Sequence, residues 1–312
     1  MPVKQHIMRN IPPCAEFALR CVKAVKDYYL PARAKKAVTV EQQPCFSASA
    51  NELRRTLEDL NIFRGDVLML HSSSKAMNQL GWTPTDMIDF LLEYLGPAGT
   101  LAMPSHPKLR DEDGQKIYMP HRCPSGVGLA TELFRRRKQT VRSLYPFSAA
   151  AAQGALADEL VGRHRYSFAP HDEKSPYAKL RELGAKVLAM GCPLDRMTII
   201  HVAEDTMRDA MPIENFYIAE NVLIKTPNEE FVLETHRRAP WLWWYLAKYQ
   251  WAKHMYRRGF VRETFVCGVP LREVDAAPAI EWMQQRVRKG KTIYPHAGLN
   301  RFLKFKTQPG RE

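Results

Sequence analysis

The chain has 312 residues, with 46 Lys and Arg against 33 Asp and Glu for a net charge of +13, and it is 45% hydrophobic. That composition excludes wholesale disorder and fibrous repeats, and the length suits one large α/β domain or two modest ones. No apolar run nears the ~20 residues of a membrane-spanning helix, so an integral membrane protein is not expected; scattered cysteines and a start without a signal peptide predict a cytoplasmic protein, and the positive charge favours anionic partners over a polycationic one.

Residues 1–50 read as a basic extension. Positions 1–40 hold eight Lys and Arg against two acids, and Pro12, Pro13, Pro31 and Pro44 punctuate the segment. Phe17, Ala18, Cys21, Val22, Val25 and Tyr29 recur at helical spacing, which predicts a helix over 14–30. Its apolar face would pack on the main domain or a second subunit, or lie on an acidic membrane surface. The start is polar and broken by proline, so no signal peptide is expected. Six cysteines without a C-x-x-C pair read as thiols.

The main domain is expected over 51–290. Ser49 with Glu52 forms a capping box for a helix to about residue 60, and Gly65-Asp66 turns into the apolar strand 67–70. Thr83-Pro84 opens a helix over 85–95 that Gly96-Pro97 stops, and 100–103 is a further strand. Helices over 128–137 and 154–161, a strand over 186–190 and a helix over 199–209 continue the alternation. The pattern predicts an α/β fold, a three-layer sandwich with a central mixed, mainly parallel sheet. Beyond 210 strands take over, with a hairpin of 215–225 and 230–234 turning at Pro227-Asn228. Residues 236–258 then interleave Trp241, Trp243, Trp244, Tyr245, Tyr249, Trp251 and Tyr256 with Arg237, Arg238, Lys248, Lys253, Arg257 and Arg258. This mixture suits a stacked or anionic ligand, an acidic membrane, or an aromatic core with solvated cations outside it. A strand near 264–267 and a helix over 276–288 close the domain, before a basic tail at 291–312.

Common catalytic signatures are missing: there is no G-x-S-x-G, no P-loop and no H-E-x-x-H. His201 is the acid/base candidate, because Glu204 at i+3 and Asp205 at i+4 can share its helix face and fix its tautomer. A purely structural hydrogen bond at a helix start is the alternative. A metal site is not expected, since no second ligand pair matches His201 and Glu204. His71-Ser72-Ser73-Ser74 follows a buried strand, at the end where α/β folds hold ligands, or else forms an ordinary polar turn. Ser125-Gly126-Val127-Gly128 opens a helix as a turn or as an anion-binding loop, and the run 135–138 is a solvated helix end or a phosphate contact.

Five ordered motifs resemble the aminoglycoside 3-N-acetyltransferase family. Residues 68–75 (LMLHSSSK) are similar to its VHASL segment, 95–104 (LGPAGTLAMP) to GPxGTLVMP, and 142–146 (RSLYP) to RSxHP. Residues 174–176 (KSP) match its GSP step, and 198–204 (TIIHVAE) match TxLHxAE. The resemblance implies an acyl-CoA-dependent N-acyltransferase, with acetyl-CoA or another acyl-CoA as donor, no metal, and direct attack by an amine. The acceptor it implies is an amino sugar or related biosynthetic amine. Antibiotic resistance is the alternative within the family, and a non-catalytic membrane- or nucleic-acid-binding protein the alternative outside it, with nucleic acid the less expected partner. Carried over by motif, His201 with Glu204 would belong to the catalytic polar cluster. Ser73 with its neighbours His71, Ser72 and Ser74, together with Thr100 and Pro104, would meet the donor, with Thr100 near the thioester. Tyr145, His171, Arg237 and Arg238 would meet the acceptor. Tyr145 replaces the family's histidine, and the arginines of 236–258 would repel a polycation.

Overall fold

The computed structural model describes residues 47–294, apart from 212, 214, 215, 240, 241, 243–245 and 247 and the side chain of 249. The predicted helix at 14–30, nearly all of the basic extension, the tail from 295, and Trp241, Trp243, Trp244 and Tyr245 therefore lie outside the described residues. Several elements begin where side-chain chemistry directs. Ser49 Oγ accepts the Glu52 N–H at 3.1 Å to start α1 (Ala50–Asp59), and Thr83 Oγ1 accepts the Asp86 N–H at 3.2 Å with Pro84 in the first turn of a later helix, Pro84–Leu95. These bonds satisfy N–H groups that a helix start leaves without partners.

Between them run β1 (Val67–Ser72) and α2 (Ser74–Gln79), so that Pro84–Leu95 is α3. Next come β2 (Thr100–Pro104), β3 (Arg110–Glu112), β4 (Gln115–Tyr118), α4 (Leu129–Arg135), β5 (Val141–Arg142), β6 (Ala150–Gly154), α5 (Ala157–Val161), α6 (Pro176–Glu182) and β7 (Lys186–Met190). A 3-10 turn at Thr198–His201 leads into α7 (Val202–Thr206), and β8 (Tyr217–Lys225), β9 (Glu230–Arg238), α8 (Lys248–Arg257), β10 (Val261–Val266), β11 (Val269–Asp275) and α9 (Ala276–Arg288) complete the described order.

Seven strands form one mixed sheet in the order β10-β11-β7-β1-β2-β6-β5. Parallel pairing is confined to its centre, where β1 lies between β7 and β2. The other four pairings are antiparallel, so the expected mixed sheet holds while its parallel part is a central trio. Alternation along β1 sends Val67 and Met69 into one apolar layer with α5, α6 and α9, and Leu68 and Leu70 into another with α1 and α3. Helices thus cover both faces, the three-layer arrangement expected for a sheet buried on both sides.

A second sheet, β3-β4-β8-β9, stands apart. Its β3–β4 hairpin turns at Asp113-Gly114, both at positive φ (52° and 84°), a type of pair that favours a tight hairpin. The β8–β9 hairpin runs from Tyr217↔Arg238 to Lys225↔Glu230 and carries the chain back to Arg238 beside the main sheet. Cys267, expected as a thiol, is disulfide-bonded. Among the described residues, no helix is long and apolar enough to cross a membrane.

Candidate active site

A cavity of about 550 Å³ opens at the C-terminal ends of β1 and β2. His71 and Ser72 line it from the end of β1, Pro104 from the end of β2, and Gly126 and Val127 from the loop before α4. His171 enters from the loop before α6, Thr198 and His201 from the turn before α7, Arg238 from the end of β9 and Lys248 from the start of α8. The tight loop after β7 brings in Cys192; its neighbour Gly191 is at φ 64°, and a Cβ there would sit 2.1 Å from the Ala76 Cβ. Only glycine lets that loop pass so close to α2.

The cavity holds four histidines that burial keeps uncharged. His71 is pushed down to about 4, its Nε2 accepting the Thr198 N–H at 3.4 Å. Burial, followed by nearby positive groups, takes His106 to about 3. His201 is driven well below the ordinary histidine value, first by burial and then by Arg238 and Lys248. Its Nδ1 lies 3.3 Å from Glu204 Oε2. Burial raises the Glu204 carboxyl to about 8 even though Arg238 opposes it, so near neutral pH His201 faces a largely neutral acid.

The second histidine–carboxylate pair is tighter. Asp205 Oδ2 accepts the His171 backbone N–H and lies 3.0 Å from His171 Nδ1, while Oδ1 accepts the Tyr217 hydroxyl at 2.8 Å. Burial would raise Asp205, but Arg238 and His171 hold it below its ordinary value. His171 Nδ1 also meets an Arg238 guanidinium nitrogen at 2.8 Å, while its Nε2 is buried and without a hydrogen-bond partner. His171 is down at about 4, first by burial. Its ring centroid lies 5.4 Å from that of His201. Arg238 sits between the pairs, 3.5 Å from Glu204 and 3.7 Å from Asp205, and the buried Tyr294 neighbours both Arg238 and Glu204. Two neutral imidazoles facing one cavity can accept a proton or position a polar group, as acid–base chemistry requires.

Sequence reading finds His71, Ser72, Pro104, His171, His201 and Arg238 together here, with Glu204 directly behind His201. Ser73 and Ser74 instead start α2: Ser73 is its N-cap residue and binds the Met190 carbonyl through its backbone N–H. Thr100 stands at the far end of β2, four residues and about 13 Å from Pro104 at ~3.3 Å per residue. Its Oγ1 accepts the Leu156 N–H at 2.9 Å, so it does not reach this cavity. Tyr145 is fully buried; its hydroxyl accepts the His236 N–H at 3.0 Å and donates to the Phe168 or His236 carbonyl, and its ring stacks on His164. It ties two chain segments together and does not line the cavity. Arg237 points to the other face of β9, where Glu220 binds it at 2.8 Å. Lys248 joins them from the aromatic and basic segment singled out in the sequence, while His106 and Arg196 join the lining unforeseen, because only the tertiary fold brings a post-strand residue and a loop to this wall.

A larger, open hollow of about 730 Å³ lies at the opposite end of β2, around Gly96, Pro97 and Gly99 with Arg54, Arg64, Gln139 and Gln153. Among the described residues it is lined by no histidine or cysteine, so the smaller cavity carries the candidate chemistry. Among the described residues, no group of three His, Cys, Asp or Glu could hold a metal ion.

The model of the aminoglycoside 3-N-acetyltransferase family matches residues 69–288. Aminoglycoside N(3)-acetyltransferase IV from Salmonella sp is 35% identical over 153 residues, 49% of this chain and 57% of that protein. Aminoglycoside N(3)-acetyltransferase VII from Streptomyces paromomycinus is 31% identical over 170 residues, 49% of this chain and 58% of that one. The chain thus spans rather more than half the length of the curated relatives it matches. Among solved structures, a histidine-to-alanine variant of the aminoglycoside acetyltransferase AAC(3)-IVa in complex with a gentamicin superposes with a TM-score of 0.69 at 24% identity, covering 85% of this chain and 99% of that one. AAC-IIIb with CoASH gives 0.66 at 24%, covering 78% and 97%. At such identities the likeness is one of fold.

Proposed function

Because the chain belongs to the aminoglycoside 3-N-acetyltransferase family, we propose that it transfers an acyl group, acetyl in the simplest case, from acyl-CoA to the amino group of an amino sugar or related small amine. The observation that carries this reading is the cavity that unites neutral His201, backed by Glu204, with neutral His171, backed by Asp205. At about 550 Å³ it has room for a pantetheine end and a small acceptor. Of the residues that line the cavity, His106 and His171 each have a buried Nε2 without a hydrogen-bond partner, as befits groups awaiting polar ligands. The relatives' names, and the gentamicin complex of a structural neighbour, support an amino-sugar acceptor.

Bound acyl-CoA supplies an activated thioester: the amine nitrogen forms the new C–N bond, the C–S bond breaks, and the departing CoA thiolate takes up the proton that the nitrogen loses on becoming an amide, so that CoA leaves as a thiol. His201 accepts the ammonium proton, a role open to it because it is neutral across the physiological range. Glu204 orients the ring through Nδ1. His71 and Ser72, at the mouth of the central strands, and the 126–127 loop line the cavity and would hold the pantetheine end. The carboxyl ends of parallel strands are where open α/β sheets receive ligands.

The full chain in a metal chelator should bind acetyl-CoA by calorimetry and release free thiol only when an amine is added. Thiol release that does not depend on an amine, or no donor binding by folded protein, overturns the proposal.

A further inference from the structure

Among the described residues, the charged side chains that line the cavity are all cationic. Arg196, Arg238 and Lys248 contribute to its wall, and no aspartate or glutamate does. The nearby carboxylates sit behind this surface: Asp205 is held by His171 and Tyr217, Glu204 is fully buried behind His201, and Asp195 neighbours Lys248 without lining the cavity. Resting on the acyltransfer reading above, we propose that the acceptor is an amine that carries its own anionic group, a phosphate or carboxylate, which pairs with Arg196 and Lys248 while its nitrogen meets His201.

Two physical arguments favour this class. A polycation would be desolvated against Arg196 and Lys248, with no carboxylate in the wall to receive it and Asp205 already engaged by Arg238, which is a strong element of discrimination. The same charges favour the neutral form of an amine, because a like charge nearby lowers the pKa of an ammonium group. They act the same way on the protein's own groups: Arg238 and Lys248 are among the causes that depress His201, and Lys248 itself is brought to about 8, first by burial and then by Arg238. The wall thus binds the anion and helps to free the nucleophile. The phosphates of CoA offer the same chemistry, so the test must separate donor from acceptor.

Calorimetric titrations of the full chain with glucosamine, glucosamine 6-phosphate and sisomicin, each with and without CoA, separate these sources. Glucosamine 6-phosphate should bind at least about tenfold more tightly than glucosamine, as charge-assisted hydrogen bonds allow, and sisomicin should bind more weakly than either. The preference should shrink with salt and vanish in Arg196→Gln/Lys248→Gln, with acetyl-CoA affinity kept within about threefold. Arg196 is exposed, so Arg196→Glu serves as a second variant that keeps the fold and should reverse the preference. Equal binding of the three amines, no binding by any of them, or variants that weaken CoA and leave the preference intact would overturn the inference. Loss of donor binding alone would count against the acyltransfer reading, while the titrations without CoA still report the anion preference.

Discussion

Replacing His201 by asparagine should lower kcat by about 10²–10⁴, the range for loss of a general base, with the affinity for acetyl-CoA nearly unchanged. Asparagine keeps a polar atom near the Nδ1 position that faces Glu204 at 3.3 Å but supplies no base. Glu204→Gln should act in the same direction more weakly, because it orients the ring and does not itself take the proton. The two variants also differ in pH dependence. Glu204 loses its proton near 8, where burial has raised it, and above that pH His201 gains an anionic partner and becomes more basic. The wild-type rate should therefore rise through this range, and the step should disappear in Glu204→Gln. Lys248 titrates in the same range, so Lys248→Gln is the control that should keep the step. Pre-steady-state and steady-state rates from pH ~6 to ~10 decide the matter; a His201→Asn enzyme within about threefold of wild type would return this pair to a structural role.

Asp205→Asn should be the more damaging change to the fold, costing about 3–5 kcal/mol, as expected when one member of a buried charged network is removed. Asp205 is 1% exposed and its two oxygens receive the His171 N–H, the His171 ring and the Tyr217 hydroxyl, with Arg238 3.7 Å away. An amide can satisfy only part of that set and leaves Arg238 less compensated. A lower urea midpoint with an unchanged slope would show the loss as one of stability. A change under about 0.5 kcal/mol, the size of an ordinary surface substitution, would mean that the network relaxes around the amide.

The helices beginning at residues 50 and 84 were legible because each starts with a capping Ser or Thr, followed in one case by proline, whereas the short helix that Ser175 and Pro176 open in the same way was not read. The strand β1 was legible because it is apolar without a break. By contrast, β6 (AAAQG) offers little strand propensity and is held in place by its antiparallel register with β2. The predicted helix over 199–209 is divided into a 3-10 turn, α7 and a further 3-10 turn at Arg208–Ala210, a distinction that periodicity does not resolve. The site followed the same logic. His201, Glu204 and Asp205 are local neighbours and could be read together, whereas His106, Arg196 and Lys248 converge only through topology. Thr100 shows the converse: it lies in a matching motif, but the direction of β2 carries it away from the cavity and towards Leu156.

The buried histidines tie the fold to acidity by proton linkage. Burial, the largest cause in each case, holds His71 and His171 at about 4 and His106 and His164 at about 3, while the unfolded chain protonates them near ~6.5. Above that value neither state binds these protons and the folded state keeps its full stability. As the pH falls from about 6.5 towards 4, the unfolded chain gains protons that the folded chain refuses, and each histidine removes up to about 1.4 kcal/mol per pH unit. The loss levels off only once the folded rings titrate too. Imidazoles kept unprotonated by burial thus set an acid limit on the whole domain, and urea midpoints between pH ~7 and ~5 should fall accordingly.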